Sequence, residues 1–376
     1  MARGSNPVDK PIQSERQRKL QQLSFSPSTI LSRDLPRDTV LKHLQFRLSG
    51  AIQTTFASGT PVADAFAAFD NLVPRIDIIV NGSRVVKSVR PHLMRVQQLL
   101  MSGILAERAS SAAAAAATDN YPTVDAGFTY GTTTQFTTCR ETIIVSFEDV
   151  YARIGKELTW LNLKGVASAE ARLTTNAYSS LLGFGNTAPV TYGSSTFVID
   201  ILTVEAQDVP AGTRFADWKQ TTKEITFSAQ TTAFAVDINR GNFLQGLMLL
   251  ARDGAAGSAT TATGKLASNL AITDLVLQVN GQVNIKATDF KSLHGEMRAR
   301  FGVQAPYASN VSFIDGIAYL DLISDDSRGD LQSALDVRPP KVDGVQLLVS
   351  TNTASNVSYT NPVSLVIETQ EIVQFE

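Results

Sequence analysis

The stretch DLVLQVNGQVNIKATDFKSLHGEMRARFG, Asp274–Gly302, has a counterpart 199 residues earlier in RIDIIVNGSRVVKSVRPHLMRVQQLLMSG, Arg75–Gly103. Aligned without a gap, Val80, Asn81, Gly82, Lys87 and Gly103 meet identical residues. Val86 meets Ile285 and Met94 meets Leu293, while Val85 opposite Asn284 breaks the pattern. In both copies apolar residues alternate, Ile76, Ile78 and Val80 in one and Leu275, Leu277 and Val279 in the other, as in a strand with one buried face. Asn-Gly tolerates positive φ, so each strand is expected to turn back tightly into RVVKSV or QVNIKA. A short helical stretch follows, with Thr288 or Asp289 able to cap the second copy and Gly103 and Gly302 placed to end the two.

Further pairs occur in the same order. Lys42–Phe46 (KHLQF) resembles Lys223–Phe227 (KEITF), and Glu141–Asp149 resembles Gly316–Asp326. Trp160–Asn176 resembles Ala334–Asn352, and Phe197–Ala206 resembles Pro362–Glu371. The simplest account is one duplicated domain: an N-terminal arm at 1–37, a first jelly roll at 38–218 and a second at 219–376. The expected class is all-β, with two tandem eight-stranded jelly-roll sandwiches that each carry a short inserted helix. A seven-stranded immunoglobulin-like sandwich is the alternative, and a helix at the same place in both halves fits it poorly.

Three segments fall outside the repeat. The arm contains SERQRKLQQLSFS, Ser14–Ser26, which reads as an amphipathic turn or two, with Arg16, Arg18 and Lys19 beside Leu20 and Leu23. These five residues are the candidate contact with a membrane or a neighbouring molecule. Glu107–Thr133 lengthens one connection, and Arg252–Asn269 is a Gly/Ala/Thr-rich insertion in the second half only; both read as exposed or subunit-contacting loops.

Composition narrows the function. Over 376 residues, 33 Lys and Arg balance 35 Asp and Glu, which argues against a surface built wholly to grip nucleic acid, and no sequence-specific nucleic acid is expected as a partner. The single cysteine, Cys139, rules out an internal disulfide or a cysteine zinc cage. The N-terminus lacks the apolar core of a signal peptide and no run of about 18 apolar residues occurs, so folding in a cytoplasm is expected. The sequons at Asn81, Asn310 and Asn356 then read as turn and strand-end residues.

No catalytic constellation stands out. His43, His92 and His294 have no partner at metal-binding spacing and read as surface or cap residues. Gly183 and Gly185 lack the Lys-Ser/Thr ending of a phosphate loop. The acidic group Asp321, Asp325, Asp326 and Asp330 does not follow the EF-hand spacing and reads as a solvated loop, leaving a metal ion there an open question. The chain is therefore expected to be no enzyme, with no cofactor.

Two jelly rolls in one chain without apparent chemistry resemble the double jelly-roll major capsid proteins of tailless icosahedral viruses. They look in particular like those of bacteriophages with an internal membrane, within the adenovirus-like capsid lineage. The resemblance spans about residues 38–376 and rests on Ala271–Gly302 followed by Gly316–Asp326 and Ala334–Asn352, which match that family's strand, hairpin, helix and strand order. It implies a homotrimer of six upright barrels, a pseudo-hexagonal capsomer tiling an icosahedral virion shell assembled in the host cytoplasm. It further implies contacts with neighbouring capsomers, with minor capsid and vertex (penton) proteins, and through the arm with an internal viral membrane. The competing readings are a carbohydrate-binding or glycan-processing double jelly-roll protein, and a minor capsid or spike protein.

Overall fold

A computed structural model of the chain describes residues 15–56, 68–102, 108–111, 135–152, 156–178, 180, 190–207, 209, 213–254, 267–302, 307–308, 311–312, 314–323 and 334–373. Its first half is built from β1 (Glu15–Lys19), β2 (Ile30–Asp34), β3 (Val40–Phe56), β4 (Arg75–Val80), β5 (Arg84–Val89), helix α1 (Pro91–Ser102), β6 (Gln135–Ser146), β7 (Ala169–Thr174) and β8 (Val198–Ala206). The second half repeats the order with β9 (Asp217–Phe227), β10 (Phe234–Ile238), β11 (Phe243–Arg252), β12 (Ile272–Val279), β13 (Val283–Asp289), helix α2 (Phe290–Phe301), β14 (Ile317–Asp321), β15 (Val345–Thr351) and β16 (Val363–Val373).

Pairing sorts each half into two four-stranded sheets. In the first, β1-β8-β3-β6 belongs to one sheet and β5-β4-β7-β2 to the other; in the second, the orders are β9-β16-β11-β14 and β13-β12-β15-β10. Each of these eight strands of the first half thus has a counterpart eight strands later with the same neighbours within its barrel, and each half is a jelly roll; shorter strands, among them Arg108–Ser111 and Val190–Ser195, extend the first sheet. The irregularities repeat as well. β4–β5 bulges at Val86 and β12–β13 at Ile285, 199 residues on. β3–β8 bulges at Lys42, and β11–β16 does so at Gln245. Bulges re-aim a strand and raise its twist, so their repetition marks one inherited shape.

The Val-Asn-Gly motif performs the same two tasks twice. Asn81 and Asn280 both hold φ 53° and the following glycines 73° and 67°, the two successive positive angles of an I′-type turn, within connections of three residues, 81–83 and 280–282. Each Asn Oδ1 also accepts a backbone N–H from the approach to the neighbouring strand, Ala167 N–H at 2.8 Å and Asp343 N–H at 2.7 Å. The second helix starts on Asp289, whose side chain accepts the Ser292 N–H at 2.8 Å, and stops on Gly302 at φ 62°. Gly103 lies outside the described residues.

Two expectations change. Lys42–Phe46 lies on β3 and its counterpart is β11, whereas Lys223–Phe227 lies on β9, whose counterpart is β1. Any half-buried strand carries the same period-two alternation, so a five-residue match cannot tell one strand of a sheet from another. Within Ser14–Ser26, residues 15–19 form β1 and Leu23–Ser24 a two-residue strand, both paired to β8, where a helical turn was expected. The reason is tertiary: β8 leaves an edge of unpaired backbone groups, and the arm's own alternation suits it. Strand pairing accordingly carries the first barrel back to Glu15 and opens the second at Asp217.

The apolar faces meet inside each barrel. Ile76, Ile78, Val80, Leu275 and Leu277 are fully buried, as are Phe46 and the β11 residues Leu247 and Leu249. Phe227, Trp160 and Phe197 are buried too.

Candidate assembly surfaces: the seam between barrels and the N-terminal strand

β5 of the first barrel and β9 of the second run parallel, with Lys87 opposite Gln220 and Ser88 opposite Thr221, so one sheet continues from barrel to barrel. Thr222 Oγ1 donates to the Ser88 carbonyl at 2.6 Å. Lys87 Nζ donates to Gln220 Oε1 at 2.6 Å and sits 3.8 Å from the centroid of the Trp218 ring. Gln220 Nε2 in turn donates to Glu368 Oε1 at 2.9 Å. Lys87, Gln220 and Glu368 are all fully buried. Burial pushes the Lys87 ammonium well below its usual range and the Glu368 carboxyl above its own. Nearby, Gln245 Nε2 donates to Asp149 Oδ2 at 2.6 Å, and burial raises the Asp149 carboxyl as well.

Apolar packing surrounds this polar layer. Tyr151 stacks on Tyr319 at 5.1 Å and meets Trp218 edge-on at 6.1 Å, joining the two barrels through three rings. Helix α1 is buried along nearly its whole length, whereas α2, its counterpart, buries only one face.

At one end of the seam Arg84 pairs with Asp217. At the other, Asp70 lies between Arg90 of the first barrel and Arg252 of the second, each with a 3.1 Å contact, and Arg90 also reaches Glu224 at 2.8 Å. Burial alone would push the Asp70 carboxyl up, but the Arg90 and Arg252 guanidiniums and the neighbouring His92 outweigh it and hold it down at about 2. The polar groups of the seam are turned on one another, an arrangement that holds two barrels in one orientation.

The five arm residues are brought together on the β8 edge. Arg16 Nε donates to Glu205 Oε2 at 2.7 Å, and Arg18 contacts Glu205 at 3.2 Å and Asp38 at 3.3 Å. Lys19 pairs with Asp200 at 3.0 Å while most of its side chain stays exposed. Leu23 is buried and Leu20 packs against the same core. Arg16 with the fully buried Glu205 is repeated by Lys219 with the fully buried Glu371, at 3.7 Å. Neutralising a buried carboxylate explains the basic character of β1.

The other candidates separate. Asp321 turns inward to Arg300 at 2.9 Å, while Asp325, Asp326 and Asp330 lie outside the described residues. Gly183 and Gly185 lie outside them too, as do 112–133 and 255–266 of the two expected loops. His92 and His294, expected as surface or cap residues, are buried; His294 Nδ1 lies 2.6 Å from the Ile317 carbonyl, tying α2 to β14. Among the described residues no group of three His, Cys, Asp or Glu could hold a metal ion, and no helix is long and apolar enough to cross a membrane. Sequence reading passed over Lys87, Asp70 and Trp218 as functional residues. The signal for Lys87 was present: a lysine inside an apolar strand, identical in both copies.

No family model matches the chain, and no curated protein sequence matches it significantly. Solved structures do. The major capsid protein of STIV, the Sulfolobus turreted icosahedral virus, is similar with a TM-score of 0.63 and 13% identity, over 96% of this chain and 97% of that one. A chain of the PBCV-1 virus capsid is similar with a TM-score of 0.59 and 10% identity, over 98% and 96%. The major capsid protein of bacteriophage PM2 follows with a TM-score of 0.51 and 8% identity, over 96% and 98%. The chain therefore shares the double jelly-roll fold of these proteins, across both barrels.

Proposed function

We propose that the chain is the major capsid protein of an icosahedral virus, resident in the virion. One observation carries this reading: the likeness to the STIV major capsid protein covers 96% of this chain and 97% of that one, so both barrels and their connection are matched together. A domain shared with an unrelated enzyme would match only in part. The paired barrels supply what a shell subunit needs, a rigid block with several similar sides. Three copies form the pseudo-hexagonal capsomer, and capsomers tile the shell around the genome over an internal lipid membrane. Contacts run to neighbouring capsomers, to minor capsid proteins and to the vertex protein. The polar groups of the seam serve structure, which fits a protein without catalytic activity. The N-terminal arm meets a neighbour or the membrane through the exposed parts of Arg16, Arg18, Lys19 and Leu20, with Leu23 anchoring it in the core.

The test is native mass spectrometry of the purified chain, with electrophoresis of particles from the virus that carries its gene. A mass of three chains and a dominant band of this chain in the particles are expected. A stable monomer with affinity for glycans would replace the reading by that of a carbohydrate-binding protein. A trimer present only as a trace band would make it a minor capsid or spike protein.

A further inference from the structure

The seam inside the chain joins the outer edge of one barrel, β5, to the outer edge of the next, β9. The repeat supplies a second set of the same edges. β13 is the counterpart of β5 and β1 the counterpart of β9, and among the described residues neither pairs with a strand on its outer side. Their exposure reflects the missing neighbour. Val86 of β5 is 2% exposed, but its counterpart Ile285 is 39% exposed, and Val283 beside it 55%. Unpaired edges of this kind invite a further strand.

The residues that make the internal seam have identifiable counterparts. Arg16 on Glu205 corresponds to Lys219 on Glu371, which sets β1 against β9 and makes Gln17 the counterpart of Gln220. Lys286 is the counterpart of Lys87 through the hairpin repeat. The bonded pair Lys87–Gln220 thus recurs as Lys286 and Gln17 on two open edges. Trp218, whose ring lies under Lys87, corresponds to Glu15, so a carboxylate stands where the ring stood. Within the chain Lys286 contacts Glu296 at 2.8 Å, and Glu15 contacts Lys42; both sites are at the surface.

We infer that β1 of one chain packs in parallel against β13 and α2 of a second copy, with Gln17 opposite Lys286 and Arg18 opposite Ala287. Lys286 then donates to Gln17 and pairs with Glu15. This rests on the trimer reading above and names the surfaces that would make it. The contact is heterologous, and a head-to-tail contact closes into a ring when its rotation permits; three chains then present six barrels and six seams of one kind. The outward face of α2 fits a seam made between separately folded molecules. Ser292, Gly295, Glu296 and Ala299 are exposed there, at the positions where α1 buries Leu93, Val96, Gln97 and Leu100. An apolar face suits a seam formed once during folding, whereas a small and polar face keeps the free chain soluble before it meets its partner.

The full chain with its one cysteine removed, Cys139→Ser, and with Gln17→Cys and Lys286→Cys introduced, tests the register directly. Mild oxidation should give covalent species of up to three chains on a non-reducing gel, and Gln17→Cys with Val283→Cys, out of register, should not. Charge gives a second readout: Lys286→Glu or Glu15→Lys should each weaken association about tenfold at low salt, and the two together should restore most of it. A native trimer that neither cross-links in register nor responds to the charge reversals would overturn this seam and leave the trimer intact. A chain that stays monomeric under native conditions and forms no cross-link would overturn both.

Discussion

Asn280 shows how much a single side chain carries. It holds a left-handed φ that most residues resist, and its Oδ1 accepts the Asp343 N–H at 2.7 Å. Asn280→Ala loses both and should destabilise by about 2 kcal/mol, whereas Asn280→Gly keeps the backbone angle and should cost only about 1 kcal/mol. Urea titrations of the two variants measure the difference, and equal losses would contradict the split. Asp70 tests the seam at the same scale. Asp70→Ala leaves Arg90 and Arg252 buried with a partner removed, a change expected to cost about 3–5 kcal/mol. Its depressed pKa also sets a sign. The carboxylate's stabilisation is complete above its unfolded value near 4, declines as pH falls, and is gone below about 2. On the order of 2 kcal/mol should therefore disappear from the wild type across that window and be missing from Asp70→Asn. Parallel acid titrations of the two proteins would show it.

β1 decides what truncation means. Residues 15–19 pair along β8, and Leu23 joins the core just beyond them. Against a chain that lacks only residues 1–14, removing 1–25 strips the partner from buried Glu205 and should lower the melting temperature by several degrees. Differential scanning fluorimetry distinguishes the two, and equal melting temperatures would place β1 outside the fold. The same element shows what could be read from the sequence. Arg16, Arg18 and Lys19 were visible as a basic cluster, but basic charge alone does not say whether it faces an anionic surface or a carboxylate of its own chain. Glu205, 189 residues from Arg16, supplies the answer. The hairpins were legible because Asn-Gly, alternation and a capped helix are local signals. The identity of β1 and β9 was not, because it lies in their neighbours.

Over the whole molecule, the shared sheet makes the two barrels one mechanical unit. Trp218 is buried in the seam, and Trp218→Ala should cost about 3–5 kcal/mol. Calorimetry of the wild type should give a single transition, since the seam's rings, ion pairs and strand pairing must be lost together. In Trp218→Ala the second barrel should separate as its own transition, and two transitions already in the wild type would contradict the single unit. Assembly belongs to this scale too, because the edges left open after the barrels join inside the chain are the ones available to another copy.

The amino-acid sequence by itself determined that the protein is a duplicated all-β chain, because periodicity, Asn-Gly turns and helix caps act through residues close in the chain and appear twice in the same order. Only the tertiary structure decided which strand is the counterpart of which, where Arg16 finds its carboxylate, and how Lys87, Gln220 and Asp70 join two barrels. Those facts depend on partners distant in sequence. A buried charge is stable only against a particular neighbour, and the neighbour is chosen by the fold.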